Sequence, residues 1–261
     1  MPDILLRDDA DGITTLTLNT PEKLNALSDE MLAALQSQLD ALKGDHDSRV
    51  VILRGAGKAF CAGHDLKQMQ AARAGADKGR AYFKDLFERC TRVMLAIQAL
   101  PQPVIAQPHG IATAAGCQLV ATCDLAVAAQ DTRFGVNGVN VGLFCSTPMV
   151  ALTRNVPAKV AFEMLTTGQF IDTDRAERVG LINRAVPYEV LDSETRALAR
   201  VIADKRATVV KIGKEAFYAQ RNMTPAQAYD YAGAVMVENM LLRDTEEGIA
   251  AFIDKRPPNW S

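Results

Sequence analysis

Near the start of the chain, apolar and polar positions fall into two different periods. In "GITTLTLNTPEK", Leu16 and Leu18 alternate with Thr15 and Thr17, the two-residue period of a strand, and Pro21 ends the run. Ser28 then offers a helix N-cap, with Asp29 and Glu30 in the first turn. Met31, Leu35, Leu39 and Leu42 follow at helical spacing, which predicts one buried helix face. "RVVILRGAG" reads as a buried strand closing in a glycine turn, so strand, helix and strand form a βαβ unit.

The same pattern continues downstream. "GKAFCAGHDLKQM" is a loop leading into a helix over about 73–100, and "PQPVIAQPHG" is a strand bracketed by prolines. "GIATAAGCQLVATCD" predicts a helix entered through small residues, and "CDLAVAAQDTRFG" a further strand. "KVAFEMLTTGQFIDTDRAERVGLINRAVP" predicts two helices and a short strand, and from about 191 onward the pattern is helical only. The expectation is an α/β core over 1–190 and a helical region over 191–261.

Composition narrows the function. A net charge of −2 argues against a nucleic-acid binder, and no stretch is apolar for long enough to span a membrane. The five cysteines (Cys61, Cys90, Cys117, Cys123 and Cys145) follow no metal-ligand spacing and read as buried free thiols of a reducing compartment. "MPDILLRDD" lacks the basic and apolar regions of a signal peptide and is too acidic for a transit peptide, so the sequence predicts a cytoplasmic protein.

Two places join a strand end to a helix start through small residues: "FCAGHDL" at 60–66 and "GIATAAGCQL" at 110–119. Backbone N–H groups exposed at such junctions attract negative charge, and two of them converging on one carbonyl oxygen stabilise an oxyanion or enolate.

The chain resembles the crotonase (enoyl-CoA hydratase/isomerase) superfamily. The motifs that carry this are "LNTPEKLNAL", "GKAFCAGHDL", "PVIAQPHGIATAAGCQLVATCDLAVA", "FGVNGVNVGL", "AFEMLTTGQFIDTDRAERVGLINRAVP" and "EGIAAFIDKRPPNW", in the family's order and spacing over nearly the whole length. The resemblance implies a ClpP/crotonase-like α/β spiral of ββα units with a C-terminal helical trimerisation region. It also implies homotrimers, often paired into hexamers, and an acyl-CoA thioester ligand, coenzyme A being part of the substrate and no metal or other cofactor being needed.

Carried over by position, the oxyanion donors are His64, after Ala62 and Gly63, and Ala115, where the family usually has glycine. The segment from His64 through Asp65 and Leu66 to Lys67 lines the coenzyme A cleft, and Lys23 sits near its phosphates. Phe252 and Lys255 complete the cleft, from this subunit or a neighbour.

The family's hydratases use two glutamates as acid and base, and here those places hold Gln118 and Gly138, neither of which ionises. Asn137, Asn140, Cys145, Ser146 and the imidazole of His64 are the candidates to substitute, each with a plain structural role as the alternative. "GLFCSTP" and the double substitution are closest to the enoyl-CoA hydratase domain-containing proteins of the family. Nominal enoyl-CoA hydration, isomerisation, decarboxylation, thioester hydrolysis and a non-catalytic acyl-CoA binder or scaffold all remain open. A Ser–His–Asp protease on a related fold does not, because no motif for it is present.

Overall fold

The computed structural model describes residues 3–260; Met1, Pro2 and Ser261, at the ends of the two expected regions, lie outside the described residues. The chain begins with β1 (Leu5–Ala10) and β2 (Ile13–Leu18), which pair antiparallel. Helix α1 (Asp29–Leu42) follows, with the Ser28 side chain accepting from Met31 N at 3.2 Å, and buries the expected Met31, Leu35, Leu39 and Leu42 stripe together with Leu32. Fully buried leucines of this kind contribute about 1.5–3 kcal/mol each.

Strand β3 (Val50–Gly55) runs parallel to β2, and β4 (Val104–Gln107) parallel to β3. With β6 (Leu125–Ala129) and β8 (Arg184–Val186) they form a six-stranded sheet in the order β1-β2-β3-β4-β6-β8. A second layer is the two-stranded parallel pair β5 (Ile111–Thr113) and β7 (Arg133–Gly135). Between β5 and β6 lies α4 (Ala115–Thr122), buried along its whole length.

The end of the expected loop forms a helix of its own, α2 (Leu66–Ala72), capped by Asp65, and the helix expected over 73–100 starts later, as α3 (Arg80–Ala99) after Gly79, which takes φ +85°. The reason is local. Asp77 accepts from Gly79 N at 2.9 Å and from Ala81 N at 2.8 Å, giving the chain a turn where a continuous helix would leave that carboxylate idle.

Next come α5 (Ser146–Leu152), α6 (Ala158–Thr167) and α7 (Thr173–Arg178), before the helices of the C-terminal region. Of these, α8 (Leu191–Ala203) covers the back of the sheet, where Leu191, Ala199 and Ala203 pack with Ile13, Val50, Ile52 and Ile105. Helix α9 (Ala207–Gln220) is docked by one buried side chain. Lys214 Nζ donates to Ile97 O at 2.9 Å, Gln102 O at 2.9 Å and Asp124 Oδ2 at 2.7 Å, while Tyr218 OH donates to Asp124 Oδ1 at 2.7 Å. All three ammonium protons are used, which is what makes a buried charge tolerable.

Helices α10 (Pro225–Met240) and α11 (Arg243–Ile253) are different in kind. Tyr229, Leu241 and Phe252 are 82, 75 and 85% exposed, and α10 buries no residue. Among the described residues no helix is long and apolar enough to cross a membrane.

The Lys214–Asp124 pair yields a first prediction. Lys214→Met strands a buried carboxylate and costs about 3–5 kcal/mol of unfolding free energy in urea titrations. A loss below 1 kcal/mol would show that the pair does not hold α9.

Candidate functional site

The site grows from the loops that leave β2, β3 and β4. After β3, the chain runs beside β5: Cys61 N donates to Ile111 O at 3.1 Å and Thr113 N donates to Cys61 O at 3.0 Å, forming a parallel bridge from Cys61 to Ala112. His64 itself bridges to Leu27, and the residue before it, Gly63, lies against Ala115, the first residue of α4. The approach is close, since a Cβ built on Gly63 (φ +91°) would lie 3.3 Å from Ala115 N and 3.0 Å from Ala114 Cβ. No turn, loop or cap hydrogen bond among the described residues takes the N–H of His64 or of Ala115.

The substitution of alanine for glycine at 115 raises the question of a left-handed backbone. That conformation falls one residue earlier, on Ala114 at φ 50°, ψ −118°, while Ala115 is helical. Ala114 N is held by Gly135 O at 2.9 Å, so the surrounding strands impose the strain.

A buried asparagine that sequence reasoning passed over braces the first loop. Asn25 Nδ2 donates to Ala56 O and Ala59 O, both at 2.8 Å, and its Oδ1 accepts from Thr20 N at 2.9 Å. Leu24 and Asn25 both take positive φ, and asparagine tolerates that region better than most side chains. The only sequence signal was an asparagine inside the otherwise apolar "KLNAL".

An open cleft beside these loops is lined by Lys23, Ala62, His64, Asp65, Leu66 and Lys67, with Glu22 and Gln68 among the rest. The expected coenzyme A positions of the two loops therefore share one surface. Phe252 and Lys255 are not among the residues lining it within one chain. Asp65 is occupied as a helix cap, accepting from Lys67 N at 2.9 Å and Gln68 N at 3.3 Å.

The His64 imidazole points inward. Its ring meets Phe87 edge-on with centroids 5.7 Å apart, and neither ring nitrogen has a hydrogen-bond partner among the described residues. Burial pushes its pKa below the ordinary value, with the Leu27 backbone and the Asp29 charge opposing that shift and the Arg89 charge adding to it, so the ring is held neutral.

Gln118 lies one turn into α4 and is 5% exposed, with its Oε1 buried and unpartnered. Gly138 lies opposite an obstruction. A Cβ there would sit 2.4 Å from Leu143 O and 2.8 Å from Cys145 Sγ. The backbone has closed over this position, and a side chain enters only if the 143–145 segment moves.

The candidate substitutes have other duties. Cys145 Sγ accepts from Gly138 N at 3.3 Å, and burial raises its pKa, keeping it a thiol. Ser146 is exposed at the start of α5, its Oγ reaching Phe144 O at 3.4 Å. Asn137 accepts from Thr113 Oγ1 at 2.6 Å, and Asn140 Nδ2 donates to Gly168 O at 3.4 Å. All five cysteines are free and buried; burial pushes Cys61 and Cys117 up to about 12.

Two predictions follow from this geometry. Ala114→Gly relieves the left-handed strain and stabilises the chain by about 1 kcal/mol in denaturant titration, after the entropic cost of glycine; a destabilised variant would contradict the strain. For His64, the folded state favours the neutral ring while the unfolded chain takes a proton near pH 6.5. Its stability contribution is therefore intact above about pH 6.5 and lost as pH falls towards the depressed folded value. His64→Phe should flatten that acid-side loss in urea titrations between pH 7.5 and 5; an unchanged slope would place the titration elsewhere.

Comparison with known proteins bears on the whole site. The family described as enoyl-CoA hydratase/isomerase matches residues 8–261. Enoyl-CoA hydratase domain-containing protein 3, mitochondrial, of Rattus norvegicus is 47% identical over 96% of this chain and 82% of its own length, and that of Homo sapiens is 47% identical over 96% and 81%. A crystal structure of enoyl-CoA hydratase from Mycobacterium smegmatis superposes with TM-score 0.95 at 54% identity, covering 99% of both chains. The crystal structure of human enoyl-CoA hydratase domain-containing protein 3 gives TM-score 0.93 at 45% identity over 99% of this chain and 100% of that one. The mitochondrial relatives overturn the cytoplasmic placement expected from the sequence; free thiols fit a reducing compartment without saying which one. With the family matched along nearly its full length and the crotonase fold shared with these structures, this chain is a member of the enoyl-CoA hydratase/isomerase family.

Proposed function

We propose that the chain is an acyl-CoA-processing enzyme that stabilises a thioester enolate between the N–H groups of His64 and Ala115. The observation that carries this reading is the close approach of Gly63 to Ala115 N, which packs the loop carrying the His64 N–H against the start of α4, neither N–H being taken by a turn, loop or cap hydrogen bond among the described residues. Two such donors suit an oxygen that gains charge during reaction, and removing one typically costs roughly a hundred- to a thousandfold in rate. The cleft lined by Lys23, Ala62 and the His64–Lys67 segment supports coenzyme A as the handle of the substrate, and it arrives with the substrate rather than as a resident cofactor.

Acid–base chemistry is the unusual part. Gln118 cannot ionise, and Gly138 is backed by the Leu143 carbonyl. The His64 ring, neutral and so able to accept a proton, turns inward against Phe87, and burial keeps Cys145 a thiol, which argues against either as a ready substitute. Reactions that draw little on enzyme carboxylates therefore fit best: isomerisation, decarboxylation, thioester hydrolysis, or hydration at reduced rate. The exposed apolar side chains of α10 and α11, Tyr229, Leu241 and Phe252 among them, support assembly as a homotrimer or homohexamer, in which Phe252 and Lys255 would reach a neighbour's cleft.

The closed backbone at Gly138 also favours a second reading, a non-catalytic acyl-CoA binder or scaffold. One experiment separates the two. Purified protein is incubated with enoyl-, malonyl- and saturated acyl-CoAs, products are resolved by mass detection, and binding is measured by calorimetry in parallel. The enzyme reading expects conversion of at least one class. Micromolar binding with an unchanged panel would overturn it in favour of the binder.

A further inference from the structure

Helix α11 has little of its own to hold it in place. It buries only Ala251, while Phe252 and Ile253 are 85 and 71% exposed. The segment that follows supplies the hold. Lys255 takes a left-handed φ of 53°, and the chain reverses there, so that Arg256 N donates to Ala251 O at 3.0 Å. Residues 256–260 then fold back against the helix, where both oxygens of Glu247 meet them. Oε1 accepts from Arg256 Nη1 at 2.7 Å and from Asn259 N at 2.5 Å, and Oε2 accepts from Arg256 Nη2 at 3.1 Å. These bonds hold the Glu247 carboxyl down at about 2, so it is ionised at neutral pH. Pro257 and Pro258, between the two bonded residues, leave the returning chain few conformations to lose.

Trp260 is where the return ends. A Cβ built on Gly248, inside α11, would lie 3.1 Å from Trp260 Cη2 and 3.4 Å from its Cζ3. Glycine is a poor residue inside a helix, and the indole is what occupies the space that its missing side chain leaves. The Arg206 guanidinium, just before α9, lies over the same ring, 5.6 Å from its centroid. Arg206 Nε also donates to Asp244 Oδ2, in the first turn of α11, at 2.5 Å. Helix α11 is therefore tied to Arg206 twice, at its start through Asp244 and midway through Trp260.

We propose that segment 256–260 is a clasp that positions Phe252 and Lys255 for the coenzyme A cleft, with Glu247, Gly248 and Trp260 as positioning residues. The proposal rests on the acyl-CoA reading above, in which those two side chains complete a neighbour's cleft. Lys255 is the residue at which the chain reverses, so the direction of its ammonium follows from where Arg256 and Trp260 are held. With the clasp open, α11 keeps only its Asp244 tie to Arg206, and the Lys255 cation and Phe252 ring no longer meet the nucleotide end of the ligand. The oxyanion donors stand on other loops and are untouched.

Trp260 is the only tryptophan of the chain, so its fluorescence reports the clasp directly. In the intact protein, Gly248→Leu fills the place of the indole, and Arg256→Met removes the bonds to Glu247. Each should move Trp260 emission to longer wavelength and increase its quenching by acrylamide. Calorimetry should show about tenfold weaker binding of an acyl-CoA by both variants. Binding of the same acyl-pantetheine thioester, which lacks the nucleotide, should be unchanged. Trp260→Phe, which keeps an aromatic face, should retain acyl-CoA affinity, and Trp260→Ala should lose it. Unchanged emission in both variants would show that there is no clasp. Shifted emission with unaltered acyl-CoA affinity, or equal losses for the two ligands, would show that the clasp positions nothing in the cleft. Unaltered protein that binds no acyl-CoA would overturn the acyl-CoA reading and this proposal together, and the emission measured without ligand keeps that failure apart from failure of the clasp. Circular dichroism checks the fold of each variant; should Arg256→Met not fold, Gly248→Leu, which favours the helix, decides the outcome.

Discussion

The parallel bridge between Cys61 and Ala112 is the contact on which the site depends. It ties the loop after β3 to the strand that feeds α4, and so fixes where two backbone N–H groups end up. The requirement for small residues follows from it. A Cβ at 63 would crowd Ala114 and Ala115, and the strain of the turn is taken by Ala114, whose left-handed φ of 50° the neighbouring Gly135 carbonyl enforces. Asn25 supplies the other brace, reaching two carbonyls of the same loop from the chain after β2.

Helix α4 is held at both ends. Its first residues meet the bridged loop, and just past its last turn Asp124 is gripped by Lys214, Tyr218 and the Val104 N–H, the last at 2.7 Å. The C-terminal region thereby contributes to the precision of a site it does not line within one chain. A helix of eight residues with no exposed face has little freedom once both ends are tied, which suits the proposed use of its first N–H as an oxyanion donor.

Much of this was legible in sequence. The Ser28 cap and the Met31–Leu42 stripe behaved as their spacing predicts, and the motifs that marked the family also marked both loops. What escaped notice was set by partners remote in sequence. Strand β1 carries Asp8 and Asp9 because it is an edge paired only with β2, so it lacks the apolar signature of its neighbours. The helix break before Gly79 depends on how Asp77 spends its carboxylate, which periodicity does not report. The inward His64 ring reflects a contact with Phe87 that no local pattern encodes. At 138 the family resemblance led to the expectation of a replaced carboxylate; the structure adds that the Leu143 carbonyl occupies the space a side chain there would enter.

The central claim is that His64 and Ala115 together receive a thioester oxygen. A crystal structure of the protein with a non-reactive acyl-CoA thioether or thioester analogue tests it most directly. The account predicts the carbonyl oxygen, or its replacement, about 2.7–3.1 Å from both backbone nitrogens, with the nucleotide portion along the Lys23 and Lys67 cleft. An analogue seated in that cleft with its carbonyl turned away from either nitrogen would contradict it.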